Sequence, residues 1–130
     1  MAAARIVVAA CAVSAGAHAG LVPEHLREAP QIGVAFAIAT GLLLAAATAL
    51  AIRPGSLGAA RSAALLLAGL VALYAASRTT GIPLLEPHTE RLDAVGATTK
   101  VVEGLGLVFA LRLSRWLGDR RSPLTQEVPR

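Results

Sequence analysis

Residues 31–52, "QIGVAFAIATGLLLAAATALAI", run for 22 positions without a charged side chain. As a helix this stretch rises about 33 Å at ~1.5 Å per residue, enough for the ~30 Å hydrocarbon core of a bilayer. The run is rich in Ala and Leu and does not alternate, so it does not read as a strand. Three more apolar segments of similar length lie at about 5–22, 59–77 and 92–113. In lipid a helix satisfies its own backbone polar groups, which an open strand cannot. The expected fold is all-α, a four-transmembrane-helix bundle over residues 1–117. A polar, proline-bearing cytoplasmic tail at 118–130 follows it and is expected to be mobile.

Hydrophobic residues make up 55% of the chain, yet Phe, Trp and Tyr only 3%. Soluble cores lean on aromatic bulk, whereas small residues let helix backbones approach closely in lipid. A net charge of +4 would suggest nucleic acid in a soluble protein. In a membrane protein the position of the charges matters more, and no nucleic-acid partner is expected. The single Cys11 rules out an intrachain disulfide or a CxxC pair. "VAAC" (8–11) imitates a lipoprotein box but comes too early for one, so Cys11 reads as a small buried residue.

Breaks in the pattern set the boundaries. Pro23 follows the first segment, Pro30 precedes the second, "RPGS" (53–56) ends it, and "GIP" (81–83) follows the third. With the N-terminus inside, the inner side holds Arg5, Arg53, Arg61, Arg112, Arg115, Arg120, Arg121 and Arg130, and the outer side holds Arg27, Arg78 and Arg91. Glu24, Glu28, Glu86, Glu90 and Asp93 lie outside, against Asp119 and Glu127 inside. This bias puts both termini in the cytoplasm. "AHA" (17–19) has the form of a signal-peptidase site. Cleavage after Ala19 would leave three helices in the same orientation and remove His18. Against it, the first segment continues through "GLV" to spanning length.

The two outer loops, "PEHLRE" (23–28) and "EPHTER" (86–91), share their composition. His25 and His88 are each followed seven residues later by an apolar–Gly pair, Ile32-Gly33 and Val95-Gly96. Two αα-hairpins of the same topology would give this echo, as in transporters built from parallel repeats. A shared outer environment gives it as well. Small residues recur every four positions in helix two (Gly33, Ala37, Gly41, Ala45, Ala49) and helix three (Ala60, Ala64, Ala68, Ala72, Ala76). Such ridges suit close helix contact. Helix one aligns Cys11, Ser14 and His18 on one face, and helix three places Tyr74 and Arg78 one turn apart.

Helix four carries the polar anomaly. Asp93, Gly96, Lys100 and Glu103 share one stripe, with Asp93 placed to cap the helix and Glu103 near mid-membrane. A charge there costs about 2.5–3.5 kcal/mol on insertion scales, so the stripe should face the bundle interior. Lys100 and Glu103 are three apart and can neutralise each other. The functional alternative is a proton or cation relay through Glu103.

A second constellation lies at the outer face: His18, Glu24, His25, Glu28, Glu86, His88 and Glu90. Glu24/Glu28 and Glu86/Glu90 are each four apart, so a helical turn puts each pair on one face. Imidazole and carboxylate suit zinc, and imidazole suits copper, which makes His18, His25 and His88 candidate metal ligands. No HxxxH or HExxH spacing supports them, and a solvated interfacial turn explains the same residues. The cofactor stays unknown. Arg78, at the outer end of helix three, is placed to reach Glu24 or Glu28, with Thr79 and Thr80 capping backbone in an "SRTTG" turn.

"AHAGLVPEHLREAPQIGVAF" (17–36) and "YAASRTTGIP" (74–83), followed by a helix with a central Glu, resemble an uncharacterised family of small four-helix integral membrane proteins from bacteria with GC-rich genomes. The resemblance covers most of residues 17–109, and "LVPEHL" and "SRTTG-P" are its specific part. It implies that His18, Glu24, His25, Glu28, Arg78, Thr79, Thr80, Gly81, Pro83 and Glu103 are family-type positions, with Lys100 a departure. It implies the fold and no reaction.

Three function classes follow. The first is an accessory or assembly subunit that meets another membrane protein, or itself as a homo-oligomer, through its small-residue ridges. The second is a small cation- or proton-coupled transporter using Glu103. The third is an outer-face metal or haem binder using His18, His25 and His88. An enzyme is not expected, since no nucleophile–base pair, phosphate loop or redox dithiol is present.

Overall fold

A computed structural model describes residues 2–81 and 94–120. They form four helices and, among the described residues, no strand: α1 (Ala2–Glu28), α2 (Pro30–Ile52), α3 (Leu57–Thr79) and α4 (Ala94–Asp119). All four are long and apolar enough to cross a membrane. Burial follows the rule for a lipid solvent. Large aliphatic side chains such as Leu65 (75% exposed) and Ile52 (72%) point outward, while Ala, Ser and a glutamate are buried. In water that surface would be an aggregation liability; in hydrocarbon it costs nothing, and small buried residues let the helices close up.

Pro23 does not end α1, contrary to the break expected there; the helix runs on to Glu28. An interior proline removes one backbone bond at a cost of about 3 kcal/mol or more in a soluble helix, but membrane helices tolerate it. The last turns are held in other ways. The Ala29 amide donates to the His25 carbonyl at 2.8 Å, and His25 Nδ1 donates to the Leu21 carbonyl at 2.9 Å. The turn to α2 is the single residue Ala29 (φ −146°, ψ 82°). Pro30 opens α2, where its missing N–H is no loss. This corner requires Gly33, since a Cβ there would lie 2.6 Å from the Leu26 amide nitrogen. "LVPEHLRE" is therefore the end of a helix and not a loop.

Other boundaries shift less. Ser56 caps α3 by accepting from the Ala59 amide at 3.2 Å, and α3 closes at Gly81, whose φ of 71° suits glycine. Helix α4 continues to Asp119, so Gly118 and Asp119, expected in the tail, are helical. The rest of that tail, 121–130, lies outside the described residues, as do Pro83, Glu86, His88, Glu90, Arg91 and Asp93. The α2 ridge is also oriented differently from a packing face. Only Gly33 of it is buried; Ala37, Gly41, Ala45 and Ala49 are exposed, and α2 packs through Ala39, Leu43, Ala47 and Leu50 instead. On α3 the ridge is split, with Ala60 and Ala64 buried and Ala72 exposed.

The apolar core is confined to one end. It gathers Ala4, Val7, Cys11 and Ala15 of α1, Leu43, Ala47 and Leu50 of α2, Ala60, Ala63, Ala64 and Leu67 of α3, and Ala110, Leu113 and Leu117 of α4. Gly106 sets the closest crossing: a Cβ there would stand 2.6 Å from Ala10 Cβ and 3.2 Å from Leu67 Cδ1. Helix α1 packs closely on α2 and α4, and α3 on α4, but α2 and α3 touch only sparsely. The core thus sits at the end holding Arg5 and Arg53, while α2 and α3 are parted along their length, with an open groove lined by Ala45, Ala49, Arg53, Ala59 and Ser62 at that end and a cavity at the other.

Candidate functional site

The polar stripes of α1 and α4 meet where the dry core ends. Glu103 has no exposed surface. Its Oε1 accepts from Ser14 Oγ at 2.5 Å, and its Oε2 accepts from Lys100 Nζ at 2.5 Å. His18, 5% exposed, holds Nδ1 3.9 Å from Oε1. That same Nδ1 lies 2.8 Å from the Ser14 carbonyl, which can only accept, so Nδ1 carries a proton. Burying a carboxylate costs several kcal/mol unless a counter-charge and hydrogen bonds offset it; Lys100 and Ser14 supply both.

Beside this network lies a cavity of about 670 Å³ between α2 and α3. Its lower wall is aliphatic, with Ile38, Leu42, Leu65 and Leu70. The other end carries the polar groups His18, His25, Tyr74, Ser77, Arg78 and Lys100, and among the described residues no Asp or Glu lines it. Phe36 stands against both imidazoles, edge-on at 5.5 Å from His18 and 4.8 Å from His25. Tyr74 is flanked by two cations: Arg78 Cζ lies 4.7 Å from its ring centroid and Lys100 Nζ 5.4 Å. Such contacts contribute about 0.5–2 kcal/mol each. The buried Tyr74 hydroxyl has no hydrogen-bond partner among the described residues.

The sequence-based candidates separate into two groups. His18, Glu103 and Lys100 come together, and His25 and Arg78 join them at the cavity. Glu24 and Glu28 lie a turn apart on α1, both exposed. Thr79 and Thr80 are exposed at the end of α3, where their hydroxyls donate to the carbonyls of Ala75 at 2.8 Å and Ala76 at 3.3 Å. Among the described residues no three His, Cys, Asp or Glu side chains cluster as a metal site would need; His88, the third expected ligand, lies outside them. Phe36 and the cavity itself were not foreseen. A lone aromatic in a charge-free helix was their only trace in the sequence. No family model, curated protein or solved structure matches this chain.

Proposed function

We propose that the chain is a multi-pass protein of a bacterial plasma membrane that binds a small amphiphile taken from the bilayer through the gap between α2 and α3. The cavity supports this reading: its volume falls within the ~300–1,000 Å³ of small-molecule sites, and its lining is apolar at one end and polar at the other. Both termini lie in the cytoplasm. Arg5, Arg53, Arg61, Arg112, Arg115 and Arg120 share one end of the bundle, while Arg27 and Arg78 share the other, the asymmetry of the positive-inside rule. The polar end of the cavity then faces outward. The Glu103 network behind it makes ion-coupled movement of the ligand the favoured extension.

The test fills the cavity. Gly69 lines it, and a Cβ there meets nothing within 4 Å. In native mass spectrometry of the protein released from neutral detergent, 1-decanoylglycerol should be retained as one adduct per chain. Gly69→Phe should abolish the adduct. Gly16→Phe, at an equally open glycine outside the cavity, should keep it. Retention by Gly69→Phe would refute the reading.

A second reading, an accessory subunit, rests on the outward face of α2, where Ala37, Gly41, Ala45 and Ala49 are exposed. Gly41→Ile should then abolish co-purification of partner or second copy while leaving the monomer folded.

A further inference from the structure

We propose that the cavity takes an amphipathic anion, one apolar chain under a single anionic head group, and that a proton enters with it, because Lys100 serves both the head group and Glu103. This rests on the cavity being a ligand site. Three observations carry it beyond that.

The first is charge. Among the described residues that line it, the polar end offers the Lys100 ammonium with imidazole and hydroxyl donors and no acid, so an anionic head is complemented by them and a cationic one is not. The second is the Tyr74 hydroxyl, a buried donor without a partner among the described residues. Buried tyrosine hydroxyls usually find one, and a head-group oxygen beside Lys100 would accept from it.

The third is the position of Lys100. Its side chain is 16% exposed while Glu103 is 0%. Lys100 lines the cavity and Glu103 does not. The ammonium group therefore stands between a buried carboxylate and the ligand space. An anion that draws Lys100 Nζ away removes the counter-charge of Glu103. The groups left facing that carboxylate are Ser14, His18 and the buried Cys11 from α1; α3 presents Tyr74, which touches Lys100 and not Glu103. None replaces a full positive charge at Oε2. An uncompensated buried carboxylate costs several kcal/mol, so a proton binds at Oε2 as Lys100 leaves. The balance is one anion and one proton in, with no change in the net charge of the bundle. His18, which lines the cavity and lies 3.9 Å from Glu103, is the group past which the proton comes from the outer side. Binding that takes up a proton tightens as pH falls, by up to about tenfold per unit for one proton.

The probe is decane-1-sulfonate, whose head group stays ionised at every pH used. Calorimetric titration of the native chain in neutral detergent, repeated in buffers of different ionisation heat, should give close to one proton taken up per sulfonate bound. Affinity should rise as pH falls. In Glu103→Gln the sulfonate should bind with no proton uptake and no pH slope. Lys100→Gln should weaken sulfonate binding about tenfold or more, the weight of a hydrogen bond to a charged group, and leave 1-decanoylglycerol unchanged. Sulfonate binding without proton exchange in the native chain overturns the proposal, whatever the variants do. So does a pH slope that survives in Glu103→Gln. If 1-decanoylglycerol binds and sulfonate does not, this proposal is overturned while the cavity reading stands. If neither binds, the cavity reading falls and this proposal with it.

Discussion

A carboxylate with no exposed surface must be compensated by what lies within a few ångströms. For Glu103 that is Lys100 and Ser14, with His18 just beyond. Removing one partner of a buried ion pair costs about 3–5 kcal/mol, because the other charge is left behind. Glu103→Ala should lower unfolding free energy in neutral detergent by about that amount. Adding Lys100→Met should recover most of it. A double variant no more stable than Glu103→Ala would show that Lys100 does not depend on Glu103. Ser14→Ala leaves one carboxylate oxygen without its donor and should cost about 1–3 kcal/mol.

At the scale of helices, two glycines set how close the elements come. A Cβ at Gly33 would meet the backbone of Leu26, and one at Gly106 would meet Ala10 Cβ. Gly33→Val and Gly106→Val should each destabilise by about 1–3 kcal/mol, as overpacking does, measured by thermal unfolding. Gly16→Ala, with open space around it, should be neutral or stabilise by up to ~1 kcal/mol. Four helices in this order were legible in the sequence, because apolar runs of spanning length have few other solutions. The end of α1 was not. Proline usually stops a helix, and the contact that keeps this one going, Leu26 against Gly33, lies across the turn. The outward turn of the α2 ridge was hidden for a related reason. In a helix that is apolar all round, period alone does not say which face has a partner. The polar stripes were readable singly, Cys11–Ser14–His18 on one helix and Lys100–Glu103 on another. Their meeting follows from packing, although two buried polar stripes in an apolar bundle have every energetic reason to find each other.

For the whole molecule, the division is between the end that holds the apolar core, with Arg5 and Arg53, and the end where the cavity has its polar groups. On the proposed orientation, argued from the arginine asymmetry, the polar groups face outward. Glu24→Cys should react with a membrane-impermeant maleimide on intact spheroplasts, and Gly55→Cys only after lysis. The reverse pattern would invert the bundle and turn the cavity mouth to the cytoplasm. The central claim is that the gap between α2 and α3 holds an amphiphile and is more than lipid-facing surface. Photolabelling with an alkyl sulfonate bearing a diazirine near the chain end, followed by mass-spectrometric mapping, tests it most directly. Label confined to the cavity wall, at Phe36, Ile38, Leu65 and Leu73, and displaced by decane-1-sulfonate is the predicted result. Label spread equally over Val13, Leu44, Val101 and Leu105, exposed on the outer faces of α1, α2 and α4, and not displaced would contradict it.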